Sequence, residues 1–319
     1  MIRAMQDYDF TIITPVFNGE DFLQETLNSV LQYCNGYSFE YLVINDGSTD
    51  QTSKILSQYP NHIFAFNIHN QGEANAVNMG LNMARGKYCL VVNADDPLIS
   101  SELFAEAISI FESNERIVAV YPDWNIIDRR SIVKSRVKTI EYSKKILVEN
   151  FFCIPGPGAI FRTSAAKEIG GRNVNLKFGS DYDFWLRLSQ LGDFVRIPKV
   201  LAQWRSHSNS ASISKRGLEM AKERIFVIEN FLLLFPQSYS AQKSARAHAY
   251  YNAASLAYFS RDVPGARWML KAMQIRKGWI EMADLRMVLF CILLPFSRYF
   301  LIILSKVPLI RRFLKINRI

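Results

Sequence analysis

The 319-residue chain predicts an α/β fold, a mostly parallel, doubly wound sheet followed by a helical C-terminal region. Three observations carry that prediction. Short β-branched runs alternate with segments of helical periodicity over the first hundred residues; the connections are short and rich in Asn, Asp and Gly; and beyond about residue 215 the strands give way to Ala, Leu and Tyr at helical spacing. Parallel strands need crossover connections, and helices of this kind supply them.

Residues 10–17 (FTIITPVF) form the first strand. The turn signal Asn18-Gly19 ends it, and Phe22, Leu23, Leu27, Val30 and Leu31 follow at helical spacing. The pattern recurs as a strand at 41–44, a turn Asn45-Asp46-Gly47-Ser48, and a helix to about residue 58 for which Ser48 or Asp50 is a suitable N-cap. A third strand at 62–68, a helix at 74–84 stopped by Gly86, and a fourth strand at 88–92 complete the repeat. Later, a helix opens at residue 180 and runs toward Gly192, and further helices are expected at 219–234, 241–259 and 262–272.

Composition narrows the class. Hydrophobic residues at 49% and charged residues at 21% fit an ordered globular chain and exclude disorder or collagen-like repeats. Cys34, Cys89, Cys153 and Cys291 form no CxxC pair, so a disulfide framework or structural zinc site is not expected and a reducing compartment fits. The first ten residues contain no apolar core of signal-peptide length, so export by that route is not expected.

Charge is unevenly placed. Residues 201–319 hold 19 Lys and Arg against 6 acids, whereas residues 1–200 hold 19 against 23. An acidic front part argues against nucleic acid as partner, and a basic, Leu- and Phe-rich back part suits a phospholipid surface. Residues 285–304 are mostly apolar, but Pro295, Ser297 and Arg298 interrupt a spanning helix. After Asp284 no acid remains, while Arg286, Arg298, Lys306, Arg311, Arg312, Lys315 and Arg318 add seven positive charges. The expected division is therefore a catalytic domain at 1–214, a helical region at 215–284 and a basic, membrane-associating tail at 285–319. The expected location is cytoplasmic, peripheral on the inner face of the cell membrane; the competing reading of the tail is a helix buried in a homodimer.

In a doubly wound sheet, ligands sit at the carboxyl ends of the strands. Polar clusters stand at three such ends: 14–18, 45–48 and 93–96. Adjacent acids such as Asp95 and Asp96 repel one another unless a cation compensates, and a hard divalent ion suits that purpose. A plain solvated loop is the competing reading. Asp181, at a helix start, is either a cap or a general base. His207, beside Arg205, is either structural or a ligand.

Together these motifs resemble the family 2 glycosyltransferases of the GT-A fold, inverting enzymes that use nucleotide-diphosphate sugars. The matching elements, in order, are Thr14-Pro15 with Asn18, the run from Asn45 to Asp50, Asn78 with Gly80, Asn93-Ala94-Asp95-Asp96, Asp181 ahead of Trp185 and Arg187, and Arg205-Ser206-His207. They span roughly residues 8–210. The resemblance implies that Thr14, Pro15 and Phe17 wall a nucleotide pocket, with Asn18 and Glu20 near the ribose and Asp46 accepting hydrogen bonds from the base, usually uracil. It implies that Asn75, Asn78, Asn93 and Ala94 contact the nucleotide or donor sugar, that Asp95 and His207 hold Mn²⁺ or Mg²⁺ against the diphosphate, and that Arg205 helps close over it. Asp181 matches the general base, and Asp183 is expected to face away and support its helix. Two positions depart from the pattern: Asn93 replaces the first acid of the DxD element, and Val77 stands where an Arg is common. The loop at 153–161 (CIPGPGAIF) would line the acceptor side. The expected partners are a nucleotide-diphosphate sugar and a glycan or lipid-linked glycan.

Two other classes compete. A nucleotidyltransferase should carry a basic, Gly-rich loop after the first strand, and residues 14–21 contain no Lys or Arg. A non-catalytic sugar-nucleotide-binding protein has no need of Asp95, Asp181 and His207 together.

Overall fold

A computed structural model describes residues 8–207, 217–260 and 262–277. The chain divides into two units, the second beginning, apart from three residues near 150, at residue 215.

The first unit is built on one eight-stranded sheet. Its elements are β1 (Tyr8–Val16), α1 (Leu23–Tyr33), β2 (Phe39–Asp46), α2 (Thr52–Leu56), β3 (Phe64–Ile68), α3 (Glu73–Met83), β4 (Gly86–Val91), α4 (Glu102–Ser113), β5 (Ile117–Ile127), β6 (Val133–Val137), α5 (Lys144–Glu149), β7 (Ile160–Arg162), α6 (Thr163–Glu168), α7 (Ser180–Leu188) and β8 (Asp193–Arg205). The alternating strands and helices of the first hundred residues form a parallel half in the order β3-β2-β1-β4. β1, β2 and β4 are buried on both faces, which is why they read as continuous apolar runs, whereas β3 at the edge is largely exposed. In α1, Leu23, Thr26, Leu27 and Val30 are buried at the spacing of one helical stripe. They pack with Phe10, Tyr88, Phe104 and Phe111 into the main core.

Beyond β4 the sheet is mixed, not parallel as expected. β7 runs antiparallel between β4 and β5, β6 runs antiparallel to β5, and β8 returns parallel on the other side of β5. The β5–β6 hairpin turns at residues 128–131, where the Ser131 N–H donates to the Asp128 carbonyl and Ser131 takes a φ of +60°. That turn contains neither Gly nor Pro, so the usual hairpin signal is missing from the sequence.

The second unit contains α8 (Gly217–Leu234), α9 (Tyr239–Phe259) and α10 (Val263–Lys277). Ser238 caps α9 by accepting the Ala241 N–H at 3.3 Å. Ala221, Ala247, Ala253, Ala254, Ala257 and Ala266 let these helices approach closely around Met269 and Met273. Among the described residues no helix is long and apolar enough to cross a membrane. The expected tail at 285–319 lies outside the described residues.

Candidate active site

The loops after β1, β2, β4 and β8 meet at one end of the sheet, and two of them are sewn together. Asn18, at a φ of +52°, accepts the Thr49 N–H through its side chain while its own N–H donates to Ser48 Oγ, both at 2.8 Å. Glu20 accepts the Gln51 N–H, and Asp50 accepts the Glu20 and Thr52 N–H groups. Burial acts to raise the Asp50 carboxyl, but these hydrogen bonds outweigh it and hold Asp50 below the usual carboxylate range. Asp50 braces the start of α2 through the Thr52 N–H, but the cap position is Gln51 and not Ser48 or Asp50 as expected.

Four expected nucleotide contacts are engaged elsewhere. The Thr14 hydroxyl is buried and lies 3.0 Å from the Tyr41 hydroxyl, because alternation along β1 turns it into the core. Pro15 is buried in the same strand opposite Ile44. The Asp46 carboxylate is also buried and accepts the N–H groups of Gln71 and Gly72 at 2.8 Å each, which shapes the approach to α3. Asn78 grips Arg172 through both ends of its amide, at 2.7 and 2.8 Å. Asn75 donates to the Gln71 carbonyl, while Phe17 stands half-exposed at the end of β1.

The loop after β4 is organised from below by Arg205, which is buried at 0% exposure. Its guanidinium donates to the carbonyls of Asp95 and Asp128, to Ser131 Oγ and to Glu25, and it lies 4.6 Å over the Phe22 ring. Bonded in this way, the buried Arg205 guanidinium holds the loop that carries Asp95 from within. Glu25 and Phe22, its partners on α1 and just before it, carry no sequence signal beyond a helical surface acid and an aromatic. Asp96 is drawn inward too: it accepts the Arg205 N–H at 2.7 Å and the Asn93 amide at 3.0 Å. Burial, followed by the Asp95 charge beside it, pushes the Asp96 carboxyl well above the usual range, against the pull of those donors. The Ala94 carbonyl accepts the Thr26 hydroxyl.

Asp95 points the other way. Its side chain is 30% exposed, and its Oδ2 lies 2.8 Å from His207 Nε2. Phe22 packs against the His207 ring with centroids 5.1 Å apart. A carboxylate and an imidazole are both donors to divalent ions, so Asp95 and His207 could hold one. Among the described residues no cluster of three or more His, Cys, Asp or Glu could hold a metal.

Beside this loop lies a cavity of 210 Å³ lined by Asn93, Val77, Gly156, Arg172, Trp204 and Asp181, among others. Asp181 is exposed in the first turn of α7 and does not cap it; the cap position is Gly179. Asp183 is buried and paired with Arg187 at 2.6 Å, which pins α7 to the carbonyls of Ile169 and Gly171. At Gly156 a Cβ would stand 2.8 Å from Trp124 Nε1, so only glycine keeps this wall open. Trp204 went unread in the sequence; strand alternation next to the buried Arg205 was the available signal.

Residues 11–170 match the glycosyl transferase family 2 model, half of the chain, and the chain belongs to that family of transferases. An uncharacterized glycosyltransferase of Rickettsia typhi is 29% identical over 230 residues, covering 70% of this chain and 71% of that one. Polysaccharide synthases are also relatives: the chondroitin synthase of Escherichia coli is 26% identical over 224 residues, which cover 69% of this chain and 32% of the synthase. Among solved structures, Staphylococcus aureus TarS 1–349 in complex with UDP-GlcNAc superposes with a TM-score of 0.53 at 18% identity, over 85% of this chain and 92% of that one. The mannosyltransferase PcManGT from Pyrobaculum calidifontis in complex with GDP-Man and Mn²⁺ gives 0.52 at 16%, over 86% and 88%. The fold of the first unit is thus the GT-A glycosyltransferase fold.

Proposed function

We propose that this enzyme moves one sugar from a nucleotide-diphosphate sugar, a UDP-sugar by preference, to a hydroxyl of a lipid-linked or growing glycan, inverting the anomeric centre. The observation that carries the reading is Asp181: among the described residues it is the only carboxylate lining the cavity that also receives Asn93 of the β4 loop. It takes the proton of the acceptor hydroxyl, which attacks the anomeric carbon from the face opposite the diphosphate. Retention would need a second carboxylate as nucleophile, and Asp183 is buried against Arg187. Asp95 and His207 would hold a divalent ion, Mn²⁺ or Mg²⁺, which would supply positive charge to the leaving diphosphate. Phe17 and Asn93 face the nucleotide, and the 153–161 loop with Trp204 receives the acceptor. The complexes of TarS with UDP-GlcNAc and of PcManGT with GDP-Man and Mn²⁺ support the donor class and the ion, and the polysaccharide synthase relatives support a glycan acceptor. The reading includes the division at residues 214 and 284, with the basic tail resting on the inner membrane face.

The test is hydrolysis of a panel of UDP-, GDP- and dTDP-sugars with and without Mn²⁺. Asp181→Asn should lower turnover about a thousandfold while leaving donor binding intact, and Asp95→Ala should abolish the metal dependence. Undiminished turnover in Asp181→Asn would sink the assignment of the base.

A further inference from the structure

Residues 129–145 (RRSIVKSRVKTIEYSKK) carry seven Lys and Arg against one acid, inside a part of the chain that is otherwise acidic. They form the hairpin tip, β6, and the segment that follows. β6 pairs with β5 alone; Lys134 and Arg136 lie on it at alternate positions roughly 7 Å apart, and Lys138 follows its last residue. Several of these cations have partners: Arg129 meets Asp21, Lys134 meets Asp128, Arg136 meets Asp123, and Arg196 of β8 shares Asp123 and bonds to Glu141. Residues 129–140 hold five of these cations, and with Arg196 six stand against the four carboxylates, a surplus of two. Arg136, Lys138, Arg196 and Pro198 line an open cavity of 410 Å³ above the buried Asp123.

Lysine on an exposed strand edge has an ordinary use, which is to discourage pairing with another chain. The other two strands with a single neighbour do not follow that pattern. β3 (FAFNI) has no charged residue although Phe64 is half-exposed. β8 carries Lys199, which is neutralised by Glu102 and Glu106. The surplus therefore belongs to the β6 edge with its flanking residues Arg130 and Lys138. Between its cations, Ile132 and Val133 are each 53% exposed and Ile140 is 40% exposed. Apolar side chains set among lysines and arginines match the boundary of an anionic bilayer, where cations meet phosphate and branched side chains enter the acyl edge. A soluble polyanion would make no use of the isoleucines, and a second copy would bring cation against cation.

We propose that the β6 edge, from the hairpin tip at Arg129 to Ile140, is a docking surface for an anionic phospholipid leaflet. The tip that begins it touches Arg205 beneath the Asp95 loop, so a leaflet on this edge lies beside the site where a lipid-linked acceptor would be used. The proposal rests on the surface of the first unit and stands whether or not the general base is Asp181, since its readout is binding and not turnover.

The experiment is partition of the full chain onto vesicles of phosphatidylcholine with and without phosphatidylglycerol. Neutralising Lys134→Gln and Lys138→Gln together should weaken binding to the anionic vesicles about 25-fold, from about fivefold per cation. Ile132→Ser should weaken it severalfold on the same vesicles, and donor hydrolysis should be unchanged in both variants. Wild-type binding in the double variant would overturn the proposal and leave any attachment to other residues. Loss of polyphosphate binding in the double variant, with Ile132→Ser indistinguishable from wild type on vesicles, would overturn it in favour of a soluble polyanion.

Discussion

The loops after β1 and β2 and those after β4 and β8 hold the same residue types and use them in opposite ways. In the first pair, Asn18, Glu20, Asp46 and Asp50 spend their side-chain oxygens on backbone N–H groups of neighbouring loops. In the second, the buried Arg205 satisfies the backbone carbonyls of Asp95 and Asp128 from within, and Asp95 with His207 is left facing outward. A polar residue at a strand end is thus available to a ligand only where something else has met the hydrogen-bonding needs of its loop.

The largest effect that probes this contrast is at Arg205. Arg205→Met should destabilise the protein by about 3 kcal/mol, because the carbonyls of Asp95 and Asp128 lose a buried donor. Arg205→Lys should recover little, since one ammonium cannot reach Asp95, Asp128 and Glu25 together. Chemical denaturation of the three proteins checks this. If Arg205 instead bound the diphosphate, both variants would fold as wild type and differ in donor affinity alone.

Asp46 gives the next effect, in the other region. Asp46→Asn places an amide donor against the Gln71 or Gly72 N–H, which should cost about 1–3 kcal/mol of stability. A side chain that read the base would behave in the reverse manner, with donor affinity falling and the melting temperature unmoved. Calorimetry alongside a donor titration separates the two.

These outcomes bear on how much could be read from sequence. The parallel half was legible because strands buried on both faces and amphipathic helices leave continuous and periodic signals, as in residues 10–17 and in α1. Asp181 and Asp95 were legible as candidate chemistry because both are acids at element ends with no local structural need for them. Arg205, Asp46 and Thr14 were found as positions, and their hydrogen bonds to the protein itself were not legible. Sequence gives the residue at a strand end, but whether its side chain turns into the core or toward the cavity depends on the twist and register of β1, β2 and β8. The mixed half was hidden for a related reason: β7 is three residues long and the 128–131 turn is made by Asp, Arg and Ser.

The smallest effect, and the one that sets the two regions against each other most directly, is the sign of their pH dependence. Asp50 sits below the usual carboxylate range, so its contribution is present above the unfolded pKa of about 3.9 and is lost as pH falls through the lower folded value. Asp96 sits well above that range, so its contribution is present below about 3.9 and is lost as pH rises through the higher folded value. The stability of Asp50→Asn relative to wild type should therefore improve on acidification below about pH 4, as the wild type loses what the variant already lacks. The stability of Asp96→Asn relative to wild type should improve in the opposite direction, toward neutral pH, where the wild type must hold a buried second charge beside Asp95. Denaturant unfolding from pH 3 to 8 in the presence of a chelator, which removes any ion on Asp95, reads both trends. Parallel trends in the two variants would mean that the loops after β1 and β2 and those after β4 and β8 are not electrostatically distinct.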